Sequence, residues 1–375
     1  MKILLIENAN LTKQLALSTR LISFSNYLIK KGDEVYILSG SESDAKIGSI
    51  KTFGCNSSTY SLQGNVKFVL NSKKHMQNVA DIDIIHTYQP NLSSNAAVFV
   101  SGLKHKFHSK VINDIRSLWI EMGLAKLKIS KERGEPVRKI LYAFEKFFLK
   151  VVDYNFFITI DHQKHYSNML NMNFNNSIII PNTLENFAII KSESTNKKII
   201  FGYIGSLQKM RGLERIINIF SKIDGVELHL YGSPKLVNLP ENVLYKGYVK
   251  YEAIPDVLST FDVGLAHVSN EGNYWYQLIT SMSAYPRKIL EYMAASLPIL
   301  ASNQLAHTKT FGDIPLYYDP NDFIALQEKI LFLRDNHEVR RKKGEYGLKT
   351  FRENYSLDVI GEKIRTIYKK LLEKN

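Results

Sequence analysis

The chain has 375 residues, 45% hydrophobic and 23% charged, with a formal charge of +13. That length predicts two domains, each with its own core; the lone cysteine, Cys55, excludes a disulfide framework and argues against a cysteine metal site. No run of about 18 apolar residues occurs, which excludes a membrane-spanning helix. The opening "MKILLIENAN" reads as a first strand and not as a signal peptide, so a cytoplasmic protein is expected, peripheral at most on the inner face of the cytoplasmic membrane. Positive charge concentrates in residues 101–150, with 12 Lys and Arg against 5 Asp and Glu. Such an excess implies anionic partners: a nucleotide, a phospholipid surface, a lipid diphosphate or nucleic acid.

In chain order, "KILLIE" predicts a strand, "RLISFSNYLIKKG" a helix ending on Gly32, and "EVYILSG" a second strand. "VKFVL", "DIIHTY", "KVINDI" and "YNFFITI" continue as strands separated by helical or loop segments. Short β-branched and aromatic runs with helices between them argue for a parallel sheet covered on both faces. After the polar stretch that follows "IIIPNTLE" the series restarts, with "IIFGYIGS", the helix "LERIINIFSKI", then "VELHLYG", "VLYKGYV" and "DVGLAHV". A helix in "YPRKILEYMAAS" and the strand "LPILAS" follow, and the tail "LDVIGEKIRTIYKKLLEK" is a long amphipathic helix. The expected fold class is α/β, with two Rossmann-like domains at 1–185 and 186–350 facing a central cleft. Residues 351–375 form a closing helix that returns to the first domain.

Ligands in such sheets collect at the carboxyl ends of the strands. His86 ends one predicted strand, and Asp114, Arg116 and Trp119 follow another; each is a candidate site residue or a packed and capping one. Gly205 ends the first strand of the second series, and Lys209 and Arg211 precede Gly212 and a helix. Backbone N–H groups and two cations there would cradle a diphosphate. No GxGxxG follows a strand and no GxxxxGK[ST] occurs, which removes dehydrogenase and P-loop chemistry. Asp81 and Asp83 form a D-x-D pair at the amino end of a strand, the wrong end for a metal-nucleotide site. His162 and His165 lack a third ligand nearby, so no metal is expected. In 287–294, Ile289, Leu290 and Met293 recur at helical spacing and face a core, while Lys288 and Glu291 share another face. Over 138–152 a stripe of Ile140, Leu141, Phe144, Phe147, Phe148 and Val151 is flanked by Arg138, Lys139, Lys146 and Lys150. It either packs on the sheet or lies on an anionic bilayer.

Taken together, "IIIPNTLE", "GYIGSLQKMRGLERII", "VLYKGYV", "FDVGLA" and above all "YPRKILEYMAASLPILAS" resemble the GT-B-fold glycosyltransferases of family 4, the group 1 type, over nearly the whole chain. That resemblance implies transfer of a sugar from a UDP- or GDP-linked donor, with retention and without a metal or other cofactor. It places Glu291 on the ribose hydroxyls, Lys288 and Arg211 at the diphosphate, and Gly247 and Tyr248 by the base. Such chemistry suits the residues, because a departing nucleoside diphosphate needs cations and N–H dipoles where charge develops. The sequence departs from the family pattern at Ser283, where the first Glu of the Glu-x7-Glu motif would stand. It departs again at Ser206, and in "ENANLTK", which lacks a glycine pair. "DIRSLW" is similar to members that build bacterial surface polysaccharides, so the expected acceptor is a glycan or a lipid-diphosphate-linked sugar, with an anionic membrane surface as a further partner and no nucleic acid. The rivals are a nucleotide-sugar 2-epimerase of the same architecture, a basic nucleic-acid-binding protein without a recognisable motif, and a non-catalytic binding protein.

Overall fold

In the computed structural model, the described residues are 1–11, 15–57, 61–76, 79, 81–89, 91–185, 198–269, 272–282 and 287–373. By contact the chain divides into two units. One comprises Met1–Pro181, Tyr274–Ser283 and Leu357–Asn375; the other comprises Asn182–Asn273 and Ala284–Ser356.

The first unit runs β1 (Lys2–Glu7), α1 (Leu15–Lys30), β2 (Glu34–Ser39), β3 (Ala45–Ile47), β4 (Ile50–Gly54), α2 (Leu62–Met76), β5 (Ile84–Thr87), α3 (Asn91–Ser101), α4 (Leu103–Phe107) and β6 (Lys110–Ile115). It continues through α5 (Trp119–Lys126), α6 (Lys131–Phe148), β7 (Tyr154–Phe157), α7 (Ile160–Leu170) and β8 (Ser177–Ile179). The strands form one sheet in the order β3-β4-β2-β1-β5-β6-β7-β8, parallel except at β3–β4. Alternation along β1 sends Ile3 and Leu5 to one face and Leu4 and Ile6 to the other. The first face is covered by Phe24 and Leu28 of α1, and the second by Phe68 of α2 and Val98 of α3.

The second unit holds β9 (Ile199–Ile204), α8 (Leu213–Phe220), β10 (Val226–Tyr231), β11 (Val243–Gly247), α9 (Ile254–Ser259) and β12 (Val263–Ala266). Helix α10 (Tyr274–Met282) then returns to the first unit. Next come α11 (Arg287–Ala294), β13 (Ile299–Ser302), α12 (Leu305–Phe311), β14 (Leu316–Tyr318), α13 (Phe323–Asp335) and α14 (His337–Asn354). The sheet order β11-β10-β9-β12-β13-β14, parallel throughout, is the doubly wound order whose switch point lies between its first and fourth strands, here β9 and β12. Helix α8 buries Leu213, Ile216 and Phe220, and α13 buries Leu326, Ile330 and Leu333, against Phe201, Leu228 and Leu265 of the sheet. Each such side chain contributes about 1.5–3 kcal/mol on removal from water.

The last helix, α15 (Leu357–Leu372), packs Ile360, Ile364 and Tyr368 against α1 in the first unit. Arg365 donates to Asp33 at 2.7 Å and Tyr27 donates to Glu362 at 2.9 Å.

Two features differ from the expectations. "VKFVL" is not a strand; it lies inside α2, with Gly64, Phe68, Ser72 and Met76 inward at helical spacing and Val66 and Leu70 outward. Apolar residues on both faces make a short run look continuous, and such runs do not distinguish strand from helix. Residues 274–283, expected within 186–350, belong to the first unit because Trp275 is fully buried there. Its indole N–H donates to the Ile129 carbonyl at 2.8 Å, and a Cβ at Gly134 would come within 2.4 Å of its ring.

Candidate active site

The carboxyl ends of β9, β10 and β12 meet at the switch point of the second unit. Gly232 follows β10 with φ +148°, and a Cβ there would lie 1.8 Å from the Gly205 carbonyl oxygen, so only glycine lets the two strand ends approach. Gly205 donates its N–H to Tyr231 at 2.9 Å, and Gly232 donates to Gly247 at 2.8 Å. The chain then turns through Lys209–Arg211 into α8, which is capped by Gly212 at φ +67°. A Cβ at Gly212 would lie 2.7 Å from Ser269 Oγ and 3.5 Å from His267 Nε2, so the loops after β9 and β12 touch here.

Into this junction α11 delivers two charged side chains. Ile289, Leu290 and Met293 are buried, as the helical spacing predicted; Tyr292 is buried as well, and its hydroxyl lies 3.2 Å from the carbonyls of both Gly202 and Leu265, pinning the helix to the sheet. Lys288 therefore reaches the carboxyl end of the central strand β9. Its Nζ sits 3.6 Å from the centroid of the Tyr203 ring and 3.4 Å from where a Gly205 Cβ would be. Desolvation, reinforced by the neighbouring Arg211 charge and opposed by Glu291, pushes the Lys288 ammonium down to about 7. Glu291 is buried, and burial raises its carboxyl above the usual range despite Arg287 and Lys288. Its ion pair is with Arg287, at 3.9 Å and one turn back, and Arg287 in turn stacks on Tyr251. His267 is held neutral, pushed down to about 3 by burial and by Lys288, with Nδ1 2.6 Å from the Tyr318 hydroxyl.

Gly205, Arg211, Lys288 and Glu291 are thus gathered at one point. Lys209 contributes an exposed side chain on the turn, Gly247 ends β11 with open space above it, and Tyr248 beyond it is 72% exposed. Ser283 and Pro286 lie outside the described residues. Sequence reading missed His267, Tyr203 and Arg287. The first is the residue directly after a strand at its ligand-bearing end, a signal that was present in "DVGLAHV".

In the first unit, His86, Asp114 and Arg116 also come together. Both the Nε and one terminal nitrogen of Arg116 donate to Asp114 Oδ2, at 3.0 and 2.8 Å, and the guanidinium stacks on Tyr88 at 4.1 Å. His86 does not open on solvent as its position at a strand end suggested; it is wholly buried beneath α15. Its Nδ1 lies 2.5 Å from the Tyr368 hydroxyl, its ring stacks on Tyr88, and its Nε2 is 3.6 Å from Asp114. His86 therefore backs the Asp114 carboxylate, and Arg116 is the outer member. Trp119 lies elsewhere, donating to Glu145 Oε2 at 3.3 Å. It joins a buried polar network in which Tyr142 donates to Glu121 at 3.0 Å, His165 lies 3.4 Å from Glu121, and Arg138 pairs with Glu135 at 2.8 Å. Burial pushes the Glu145 carboxyl up to about 8 and His162 down to about 3. Asp83 accepts the Lys2 N–H at 2.7 Å at the amino end of β5.

Residues 185–350 match the family described as glycosyl transferases group 1. Residues 185–350 are thus similar to that family, and the chain as a whole has the GT-B fold of the solved structures it superposes on. The capsular polysaccharide biosynthesis glycosyltransferase CapM of Staphylococcus aureus is 24% identical over 191 residues, 48% of each chain. The matched segments span about half the length of the curated relatives. Among solved structures, sucrose-phosphate synthase from Thermosynechococcus elongatus superposes with a TM-score of 0.75 at 16% identity, covering both chains entirely. Anabaena HepE in complex with UDP and glucose gives 0.71 at 12%, covering 99% of this chain and 100% of that one.

Proposed function

We propose that the protein transfers a hexosyl or N-acetylhexosaminyl group from a nucleotide sugar to a glycan or lipid-diphosphate-linked acceptor, with retention and without a metal, in surface polysaccharide or glycoconjugate synthesis. The observation that carries this reading is a desolvated ammonium, Lys288, held at the switch point beside Arg211 and the buried carboxylate of Glu291. Two cations suit a diphosphate, and a buried carboxylate suits a pair of ribose hydroxyls. The bond from the sugar's anomeric carbon to the diphosphate breaks, with its electron pair leaving on the phosphate oxygen. Lys288, Arg211 and the N–H groups opening α8 and α11 stabilise that charge as it develops. The acceptor oxygen bonds the anomeric carbon and its proton is released. Asp114 and Arg116 are assigned to the acceptor side, with His86 as a positioning residue.

Support for the donor class comes from HepE, solved with UDP and glucose and with UDP-glucose, and support for the product class from the capsular role in the name of CapM. A cytoplasmic setting, peripheral to the membrane, accords with the finding that among the described residues no helix is long and apolar enough to cross one. The test is mass spectrometry of products after incubation with a panel of UDP- and GDP-sugars, with and without lipid-diphosphate acceptors and with EDTA. The expected result is a product one sugar heavier, formed only with acceptor and insensitive to EDTA. A changed sugar formed from donor alone contradicts transfer and identifies an epimerase.

A further inference from the structure

Helix α6 is turned against its own amphipathic pattern. Its buried positions are Gly134, Arg138, Tyr142 and Glu145, and its outward positions include Val137, Ile140, Phe144 and Phe147. The cause is on the inward side: Arg138 pairs with Glu135 and Glu121, Tyr142 donates to Glu121, and Glu145 accepts from Trp119. With the polar face committed to these partners, the apolar stripe faces out; Ile140 is 57% and Phe144 56% exposed.

The neighbouring helices extend the same surface. Helix α3 packs against both α2 and α6, and its exposed Phe99 meets the Phe147 ring at 5.4 Å. Helix α2 turns Leu62, Val66 and Leu70 outward, at one-turn spacing, opposite its buried Phe68. Exposed apolar side chains scattered singly are ordinary, but a band across three adjacent helices marks a surface that something covers.

Charge selects what covers it. Helices α2, α3 and α4 contain no acidic residue, while α2 carries Lys67, Lys73 and Lys74 and α4 carries Lys104 and Lys106. Lys139 on α6 and Lys150 in the turn after it are exposed beside the stripe, and Lys150 lies over the Phe147 ring at 4.9 Å. A second copy of the chain would set lysine against lysine. An apolar band rimmed by lysines is complementary to an anionic phospholipid surface, with the rings entering the headgroup boundary and the ammonium groups meeting phosphates.

We propose that the outer face of α2, α3 and α6 docks the first unit on an anionic phospholipid bilayer. This specifies the membrane surface that the proposed function leaves undefined, and it stands or falls by binding, independently of sugar transfer.

The test is co-sedimentation of the full chain with vesicles of phosphatidylcholine alone or mixed with phosphatidylglycerol. Sedimentation is expected with the anionic vesicles at least tenfold more strongly than with neutral ones, and high salt should release the protein. In the apolar set, Val66→Asp, Leu70→Asp, Ile140→Asp and Phe144→Asp change only exposed positions. In the basic set, Lys67→Glu, Lys139→Glu and Lys150→Glu remove charge; Lys146 is left intact because its Nζ caps α7 at the Leu170 carbonyl, 2.6 Å away. Each basic residue near the surface is worth about fivefold in partition, so the basic set should lose about a hundredfold. Unchanged UDP affinity and circular dichroism establish that each set is folded. The proposal is overturned if the wild type stays in the supernatant with anionic vesicles, or if the folded basic set sediments like wild type. It is also overturned if sedimentation velocity shows a wild-type dimer that the apolar set dissociates.

Discussion

The two units carry charged clusters at equivalent strand ends, and the clusters are built oppositely. In the first, Asp114 takes both hydrogen bonds from Arg116 and is backed by His86, while the Arg116 guanidinium stacks on Tyr88, so charge is answered within the protein. In the second, Arg211 disfavours the charge on Lys288, the ammonium rests on an aromatic face, and Glu291 pairs with Arg287 instead. A self-answered cluster keeps its geometry without a ligand; one with adjacent cations in a desolvated corner favours an anion brought from outside.

The largest effect that would sharpen this contrast is on stability. Asp114→Ala should cost about 3–5 kcal/mol in denaturant unfolding, since it strands the Arg116 guanidinium beside a buried histidine. Lys288→Met should cost little or raise stability; a loss as large as that at Asp114 would erase the distinction. Next comes ligand binding. Glu291→Ala should weaken UDP and uridine alike by about 1–3 kcal/mol, because the carboxylate is assigned to the ribose shared by both. Calorimetry showing unchanged uridine affinity would remove that assignment.

A smaller effect concerns protons. Because Lys288 is held near 7 in the free protein, it is largely neutral at pH 8.5, and a diphosphate must restore its proton. Binding at pH 8.5 should therefore take up to one proton, read from calorimetry in buffers of different ionisation enthalpy, and UDP affinity should fall up to about 25-fold from pH 7.5 to 9. Lys288→Arg, which stays charged, should flatten that dependence. A further effect on stability lies in the network behind α6. With Glu145 raised to about 8 in the folded state, the native form holds a proton that the unfolded form has released, so stability falls as pH rises from about 4.5 to 8. Glu145→Gln should remove that slope in unfolding at pH 5 and 8; an unchanged slope would place its origin elsewhere.

Much of the fold was legible because strand and helix periods are local: the alternation in β1 and the stripe of α11 appear in "KILLIE" and "RKILEYM" unaided. At the site, the shared face of Lys288 and Glu291 follows from helical spacing, whereas the Arg287–Glu291 pairing and the Tyr203 ring beneath Lys288 depend on side-chain choice and on a distant strand. Helices α2 and α6 hid their inward faces for different reasons: the run in α2 is apolar on both faces, whereas polar partners claim the core side of α6. An apolar residue is read as inward unless polar partners from elsewhere claim the core side, and Glu121 and Trp119, which claim that side of α6, lie in α5. The same nonlocality took residues 274–283 into the first unit through Trp275.

The most direct test of the central claim, that the corner formed by Arg211, Lys288 and Glu291 is a nucleoside-diphosphate site, is calorimetry of UDP and of uridine with wild type and Lys288→Met at pH 7. The account predicts that the substitution weakens UDP by about 1.5–3 kcal/mol and leaves uridine within about 0.5 kcal/mol of wild type. Equal losses for the two ligands, or no loss for either, would contradict it.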